Sequence, residues 1–217
     1  MADIAPRAML GGAFDPVHYG HLRTAFELHN LLQLSEVRLI PSANPPHRPP
    51  HQASGTARMQ MLEVAVAGLP WCSVDDRELR RQGPSWSVVT LEELRAESGN
   101  RSLCMILGMD AFLGLSNWHR WQDIFSLAHI VVAQRPGWAA AAKGALSPLI
   151  TKRITRDVAD LHNQPAGFIY IQEVTQLEIS SSAIRASIAA GREARFLLPD
   201  SVLEIIRDTG CYSDSAG

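Results

Sequence analysis

Cysteine is scarce, with three in 217 residues. Cys72, Cys104 and Cys211 are odd in number, widely spaced and without a C-x-x-C pair, which argues against a disulfide framework or a zinc knuckle. No apolar run approaches the roughly 20 residues that a membrane span needs. Asp3 comes early, with no basic stretch ahead of a long apolar run, so the expectation is no signal peptide and a cytoplasmic location. An excess of one charge is missing as well: 20 Lys and Arg stand against 22 Asp and Glu, for a formal charge of −2. Nothing global advertises a nucleic acid or a membrane as partner, and any anion site must be local, which favours a small phosphorylated ligand. The two commonest phosphate fingerprints, G-x-x-x-x-G-K-S/T and G-x-G-x-x-G, are absent.

Apolar residues make up 46% of the chain and charged residues 19%, as in soluble globular proteins. The length suits one core rather than two ordinary domains, so residues 1–217 are expected to form a single domain with a small C-terminal helical part over about 180–212. Short apolar runs alternate with stretches of helical period, which predicts an α/β fold with a doubly wound, mainly parallel sheet and helices on both faces. Six strands are expected: Ala8 to Leu10, Val37 to Ile40, Cys72 to Val74, Leu103 to Leu107, Ile130 to Ala133 and Phe168 to Ile171. Leu22, Ala25, Phe26, His29 and Leu32 share one helical face, as do Arg58, Met61, Leu62, Ala65 and Leu69. A last helix is predicted from about Pro199 to Gly210. The segment Gly137 to Ala145 is alanine-rich and reads as a weak surface helix or a loop. In such a sheet, ligands bind beyond the carboxyl ends of the strands, so the segments that follow strands carry the chemistry.

After the first strand the chain reads Gly11-Gly12-Ala13-Phe14-Asp15-Pro16-Val17-His18-Tyr19-Gly20-His21 and enters a helix. Paired glycines let a backbone pass close to a ligand, and the unpaired N–H groups of a helix start form an anion site. Two imidazoles three positions apart can both reach one phosphate there. The same spacing also fits a tight turn with two surface histidines, or half of a zinc site. Further on, Glu178-Ile179-Ser180-Ser181-Ser182-Ala183-Ile184-Arg185 reads as a serine-capped helix start, which alone is usually only a cap.

Taken together, the two strings resemble the nucleotidyltransferase superfamily that carries an H-x-G-H motif, whose fold is a Rossmann-like α/β sheet. The resemblance implies that His18 and His21 bind the α-phosphate of a nucleotide and stabilise the pentavalent transition state. It places Gly12, Ala13 and Phe14 along the nucleotide. The second string is similar to the superfamily's I-S-S-T-x-I-R motif, with Ser182 in the threonine position. Ile179, Ser180, Ser181, Ser182 and Arg185 are implied to hold the β- and γ-phosphates of ATP.

Further segments resemble the bacterial nicotinate mononucleotide adenylyltransferases. The proline loop Pro41 to Arg48, ending Pro45-Pro46-His47-Arg48, implies a phosphate contact by Arg48, where arginine's fixed charge and fork suit an anion; otherwise it is a spacer. Gly108-Met109-Asp110 follows a strand, and Asp110 either accepts from ribose hydroxyls or caps the next helix. Asn117-Trp118-His119-Arg120-Trp121 supplies an indole, Trp118, for the pyridine ring, with His119 beside it. Pro84-Ser85-Trp86-Ser87-Val88-Val89-Thr90-Leu91 resembles the family's P-S-Y-T-x-D-T-L helix start, with Ser87 facing the pyridine substituent. Two departures stand in it: Trp86 replaces tyrosine, and Val89 replaces a frequent aspartate. Arg135 is a further implied contact of the mononucleotide, or else a surface arginine. The activity implied is transfer of the adenylyl group of ATP to nicotinate mononucleotide, with magnesium accompanying the triphosphate and no metal ligated by the protein.

Overall fold

The computed structural model describes residues 5–45, 49–137 and 146–213. Seven strands run β1 (Arg7–Gly12), β2 (Glu36–Pro41), β3 (Cys72–Val74), β4 (Leu103–Gly108), β5 (His129–Gln134), β6 (Ile154–Thr155) and β7 (Ile169–Glu173). Among the described residues, ten α-helices separate or follow them: α1 (Tyr19–Leu31), α2 (Gly55–Val66), α3 (Arg77–Arg80), α4 (Ser87–Ser98), α5 (Met109–Leu113), α6 (Ile124–Leu127), α7 (Leu146–Arg153), α8 (Val158–Asn163), α9 (Ser181–Ala189) and α10 (Asp200–Thr209), with a short 3-10 helix over Leu115–Asn117. The strands form one sheet in the order β3-β2-β1-β4-β5-β7-β6, and every pairing is parallel.

Side chains alternate across a strand, so a sheet covered on both faces needs apolar residues at every position. Along β4, Cys104 and Ile106 enter the core shared with α1, α2 and α10, while Leu103, Met105 and Leu107 enter the core shared with α4, α5 and α6. β5 divides in the same way, with Val131 and Ala133 against Ile130 and Val132. The doubly wound α/β arrangement follows from these two cores. Val202, Leu203 and Ile206 of α10 lie in the same apolar cluster as Met61 and Leu62 of α2, which ties the C-terminal helix to the sheet.

All six expected strands are present within a residue or two of their predicted limits. The two-residue edge strand β6 is additional, and Trp138 to Ala145 lie outside the described residues. One helical face needs correction. In α1 the buried line is Ala25 and Leu28, continued by Leu32 just past the helix end, whereas Phe26 is 45% exposed. Phe26 sits one step off that line and rests its ring on Trp71 at 5.9 Å. The last helix ends as expected, at Gly210 in the left-handed conformation (φ 67°), where glycine has no side-chain penalty. The three cysteines are free thiols.

The strand order reverses between β1 and β4, which run side by side with Leu10 opposite Ile106. Beyond their carboxyl ends, the connections to α1 and α5 diverge to opposite faces and leave a crevice, the usual ligand position in an open α/β sheet.

Candidate functional site

Two communicating hollows fill that crevice, a cleft of about 880 Å³ and a smaller cavity of about 260 Å³. Gly11, Gly12, Ala13, Asp110 and Trp118 line both. The absence of side chains at Gly11 and Gly12 keeps the strand end open; a Cβ at Gly12 would come within 3.1 Å of the Phe14 ring.

The turn from β1 into α1 is held from several sides. Phe14 adopts φ 46°, uncommon for a non-glycine residue, and the Asp15–Pro16 peptide is cis. Arg58, almost fully buried, donates to the Ala13 carbonyl at 2.7 Å. Arg185 donates to the Asp15 carbonyl at 2.8 Å and Ser181 to the Pro16 carbonyl at 2.9 Å. The buried Asp15 carboxylate accepts the backbone N–H groups of Gln52 and Ala53 at 2.8 and 3.0 Å and the Tyr212 hydroxyl at 2.6 Å.

His18 caps α1 in extended conformation, and its N–H donates to Nδ1 of His21 at 3.3 Å. The two rings stack with centroids 3.8 Å apart, and Phe14 meets His21 edge-on at 5.0 Å. Because Nδ1 of His21 accepts, its proton resides on Nε2, the nitrogen left to donate. Burial brings the His18 imidazole down to about 4. Burial, and then the neighbouring His18, hold His21 well below the usual histidine range. Both are therefore neutral at pH 7, offering dipolar N–H groups rather than charges. Gly20 makes the stacking fit: a Cβ there would lie 3.0 Å from Cε1 and Nδ1 of His18.

Facing this pair across the cleft is the start of α9. Ser180 caps it by accepting the Ala183 N–H at 3.2 Å, and the Ser180 and Ser182 hydroxyl oxygens are 3.3 Å apart. Ile179, Ser180, Ser181, Ser182 and Arg185 all border the cleft, so the structure brings both sequence motifs to one place. Two members are engaged in the scaffold. The Ser181 hydroxyl and one Arg185 nitrogen bond the Phe14–Pro16 turn, clamping one motif to the other.

The smaller cavity lies on the opposite side of β1. The start of α4 closes it with Ser85, Trp86 and Ser87, and the segment after α5 closes it with Trp118 and His119. Ser85 fastens the proline loop to this wall: its hydroxyl accepts the N–H groups of Ala43 and Asn44 at 3.0 Å each, and its own N–H donates to the Asn44 carbonyl at 2.9 Å. Trp86 and His119 rings meet at 4.7 Å. α4 starts at Ser87 despite the departure at Val89, whose side chain packs against the apolar core. Gly108, not Asp110, caps α5, and the Asp110 carboxylate, in the first helical turn, is exposed at the junction of the two hollows.

Arg48 falls outside the described residues. Arg135, expected on the mononucleotide, borders the larger cleft, about half exposed, donating to Gln176 at 2.9 Å and pairing with Glu178 at 3.3 Å. Glu78 of α3, a residue the sequence reading passed over, is buried and lines the smaller cavity. Its only partner among the described residues is the Thr90 hydroxyl, which donates at 2.7 Å. Asp15, Arg58 and Tyr212 were missed too, although Asp15 lay inside a quoted motif. Among the described residues no group of three or more His, Cys, Asp or Glu is placed to hold a metal ion, and no helix is long and apolar enough to cross a membrane.

Against known proteins, residues 9–187 match the model of the cytidylyltransferase-like family. The chain is 48% identical over 204 residues to a probable nicotinate-nucleotide adenylyltransferase of Halorhodospira halophila, covering 94% of each. To the protein of that name from Methylococcus capsulatus it is 49% identical, over 94% of this chain and 97% of the relative. Among solved structures, the fold is shared with the Plasmodium falciparum nicotinic acid mononucleotide adenylyltransferase complexed with NaAD. The TM-score is 0.71 at 14% identity, with 96% of this chain and 97% of that one covered.

Proposed function

This chain belongs to the cytidylyltransferase-like family and, within it, to the nicotinate-nucleotide adenylyltransferases, and from that premise we infer that it transfers the adenylyl group of ATP to nicotinate mononucleotide, releasing pyrophosphate, in NAD biosynthesis. The observation that carries the reading to the residues is the paired cleft: a phosphate-binding arm with two neutral imidazoles and a serine-capped helix, opening onto a cavity walled by indoles.

ATP lies in the larger cleft, with its triphosphate between His18 and His21 on one side and Ser180 to Ser182 with Arg185 on the other. The N–H groups at the start of α9 supply donors suited to β- and γ-phosphate oxygens. Gly12, Ala13 and Phe14 pass beneath the α-phosphate, while Gly108 and Asp110 border the ribose, where the carboxylate accepts from hydroxyls. Nicotinate mononucleotide occupies the smaller cavity with its ring on Trp118 and its substituent toward Ser87 and His119. Its phosphate points back to the junction, toward the larger cleft that Arg135 borders.

In the reaction, a phosphate oxygen of the mononucleotide attacks the α-phosphorus of ATP in line. One P–O bond forms, the bond to the bridging β-phosphate oxygen breaks, and pyrophosphate departs with that electron pair. The nucleophile is already ionised at pH 7, so no general base is required, and the work of the protein is positioning and stabilisation of equatorial charge. Nε2–H of His21 is a fixed donor for that charge. A neutral imidazole in this role does not lose its proton to the phosphate and needs no reorganisation as charge develops. Magnesium would accompany the triphosphate and offset its charge; the hydroxyls, imidazoles and N–H groups lining the phosphate arm suit anions, so phosphate oxygens and water rather than side chains would hold the ion. A cytoplasmic location is part of the same proposal.

The test is to offer ATP and magnesium with nicotinate mononucleotide, nicotinamide mononucleotide or phosphopantetheine separately and to measure pyrophosphate. Nicotinate mononucleotide is expected to be used with at least tenfold higher kcat/KM than the amide, an order of magnitude set by leaving an amide NH₂ facing N–H donors. Equal use of acid and amide overturns the acid assignment, and preference for phosphopantetheine overturns the pyridine assignment.

A further inference from the structure

The two hollows of the site differ in charge. The larger cleft has two guanidinium groups, Arg135 and Arg185, beside the carboxylates of Asp15 and Asp110. The smaller cavity has no lysine or arginine among its described lining residues; its charged groups are Glu78 and Asp110, beside the indoles of Trp86 and Trp118. Asp110 stands at the junction and is exposed, whereas Glu78 is 6% exposed and has no ion-pair partner among the described residues. A buried carboxylate without a cation is unfavourable unless something in the occupied state compensates it. Arg81, the nearest cationic neighbour through hydrogen bonds, reaches Thr90 at 3.1 Å and is otherwise paired with Glu93 at 2.9 Å.

Resting on the reading of the cavity as the mononucleotide site, we propose that Glu78 is a specificity-determining residue that supplies the counter-charge to the quaternary ring nitrogen of the pyridine mononucleotide. The N-glycosidic bond makes the pyridine ring a cation without a dissociable proton, so it can be recognised only through charge and π faces. Carboxylate and indole provide these two forms of attraction. The anionic substituent of the same ring is then left to the N–H groups at the start of α4 near Ser87, where the helix dipole favours negative charge, one turn before the Thr90 hydroxyl that holds Glu78. The cavity thus reads both ends of a zwitterion. Glu78 favours the oxidised, charged ring whatever its substituent, and the start of α4 distinguishes acid from amide.

The experiment compares nicotinate mononucleotide with its dihydro form, in which the ring is reduced and uncharged, as substrates for wild type, Glu78→Gln and Thr90→Val at saturating ATP. The glutamine oxygen still accepts the Thr90 hydroxyl, so the scaffold bond is kept while the charge is removed. For Glu78→Gln, kcat/KM for nicotinate mononucleotide is expected to fall about tenfold, mainly through KM, with less than twofold change for the dihydro form and for the KM of ATP. Nicotinamide mononucleotide, tested alongside, should fall in parallel with the acid. Thr90→Val, which retains the carboxylate, should preserve the wild-type ratio between charged and uncharged rings. Equal loss for both rings in Glu78→Gln, or no loss for either, overturns the counter-charge role; so does a Thr90→Val enzyme that loses the ratio. If the wild type itself fails to release pyrophosphate with nicotinate mononucleotide, it is the assignment of the function that falls.

Discussion

The N–H of His18 donates to Nδ1 of His21 across three residues, at 3.3 Å, while the two rings lie stacked 3.8 Å apart. One backbone bond therefore selects the tautomer of the second imidazole, and the stacking fixes the direction of its free Nε2–H.

His21→Ala is expected to lower turnover by roughly a hundredfold to a thousandfold, the usual range for removing one preorganised transition-state donor. ATP binding and the folding transition should change little, since the ring borders the open cleft. Steady-state kinetics with parallel calorimetric titration of ATP checks this, and an unchanged turnover number takes His21 out of the mechanism.

Acid should weaken the fold through His18. In the unfolded chain an imidazole takes up its proton near 6.5; in the fold His18 resists until about 4 because burial disfavours the charged form. Between those values the unfolded state binds more protons, so stability falls as pH falls, by on the order of 3 kcal/mol for this residue. Depressed carboxylates such as Glu36 and Asp75 also lose stabilisation at low pH. The readout is therefore the difference between wild type and His18→Gln in urea midpoints across a pH series. The variant should show the shallower slope from pH 6.5 downward, and parallel curves would contradict the burial argument.

Gly20→Ala tests the close approach. The new Cβ would lie 3.0 Å from the His18 ring, and the ring must move because Gly20 is within α1. Alanine is favoured over glycine in a helix by about 1 kcal/mol, so a large loss of stability is not expected. A fall in turnover of more than tenfold is, as misplacement of a reacting group by a fraction of an ångström is costly. Full activity in this variant would show that the stacked geometry is dispensable.

Tyr212→Phe removes one hydrogen bond to a buried carboxylate at 2.6 Å. The expected loss is about 1–3 kcal/mol, as for a bond to a charged group, together with a severalfold drop in turnover because the Phe14–Pro16 turn is less firmly held. Denaturation midpoints and kcat measured on the same preparation check both; a stable variant with reduced kcat would separate the positioning effect from simple unfolding.

Much of the fold was legible because apolar strands and helical periods announce a covered parallel sheet. The edge strand β6 was not, since two residues with Ile154 exposed carry no periodicity. Phe26 was misplaced because a step of about 100° separates it from Ala25, close enough to read as one face. Both the histidine and the serine motif were visible as strings, and the structure brings them to one cleft. What the strings did not disclose was the division of labour within them. Ser181 and Arg185 read as ligand groups, yet each also bonds the opposite motif. Asp15 reads as part of a turn, yet its carboxylate gathers Gln52, Ala53 and Tyr212. Glu78 stood outside every quoted motif, on a four-residue helix with no pattern of its own. Such pairings join residues far apart in the chain, and no local spacing encodes them.

The bond between Asp15 and Tyr212 spans 197 positions, and that span has a temporal side. A chain is synthesised from its amino end, so the histidine turn is made early, before any of the three donors to the Asp15 carboxylate. Gln52 and Ala53 arrive next, Arg58 after them, then Ser181 and Arg185, and Tyr212 last. The fastening of the turn is therefore completed only by residues among the last to be made.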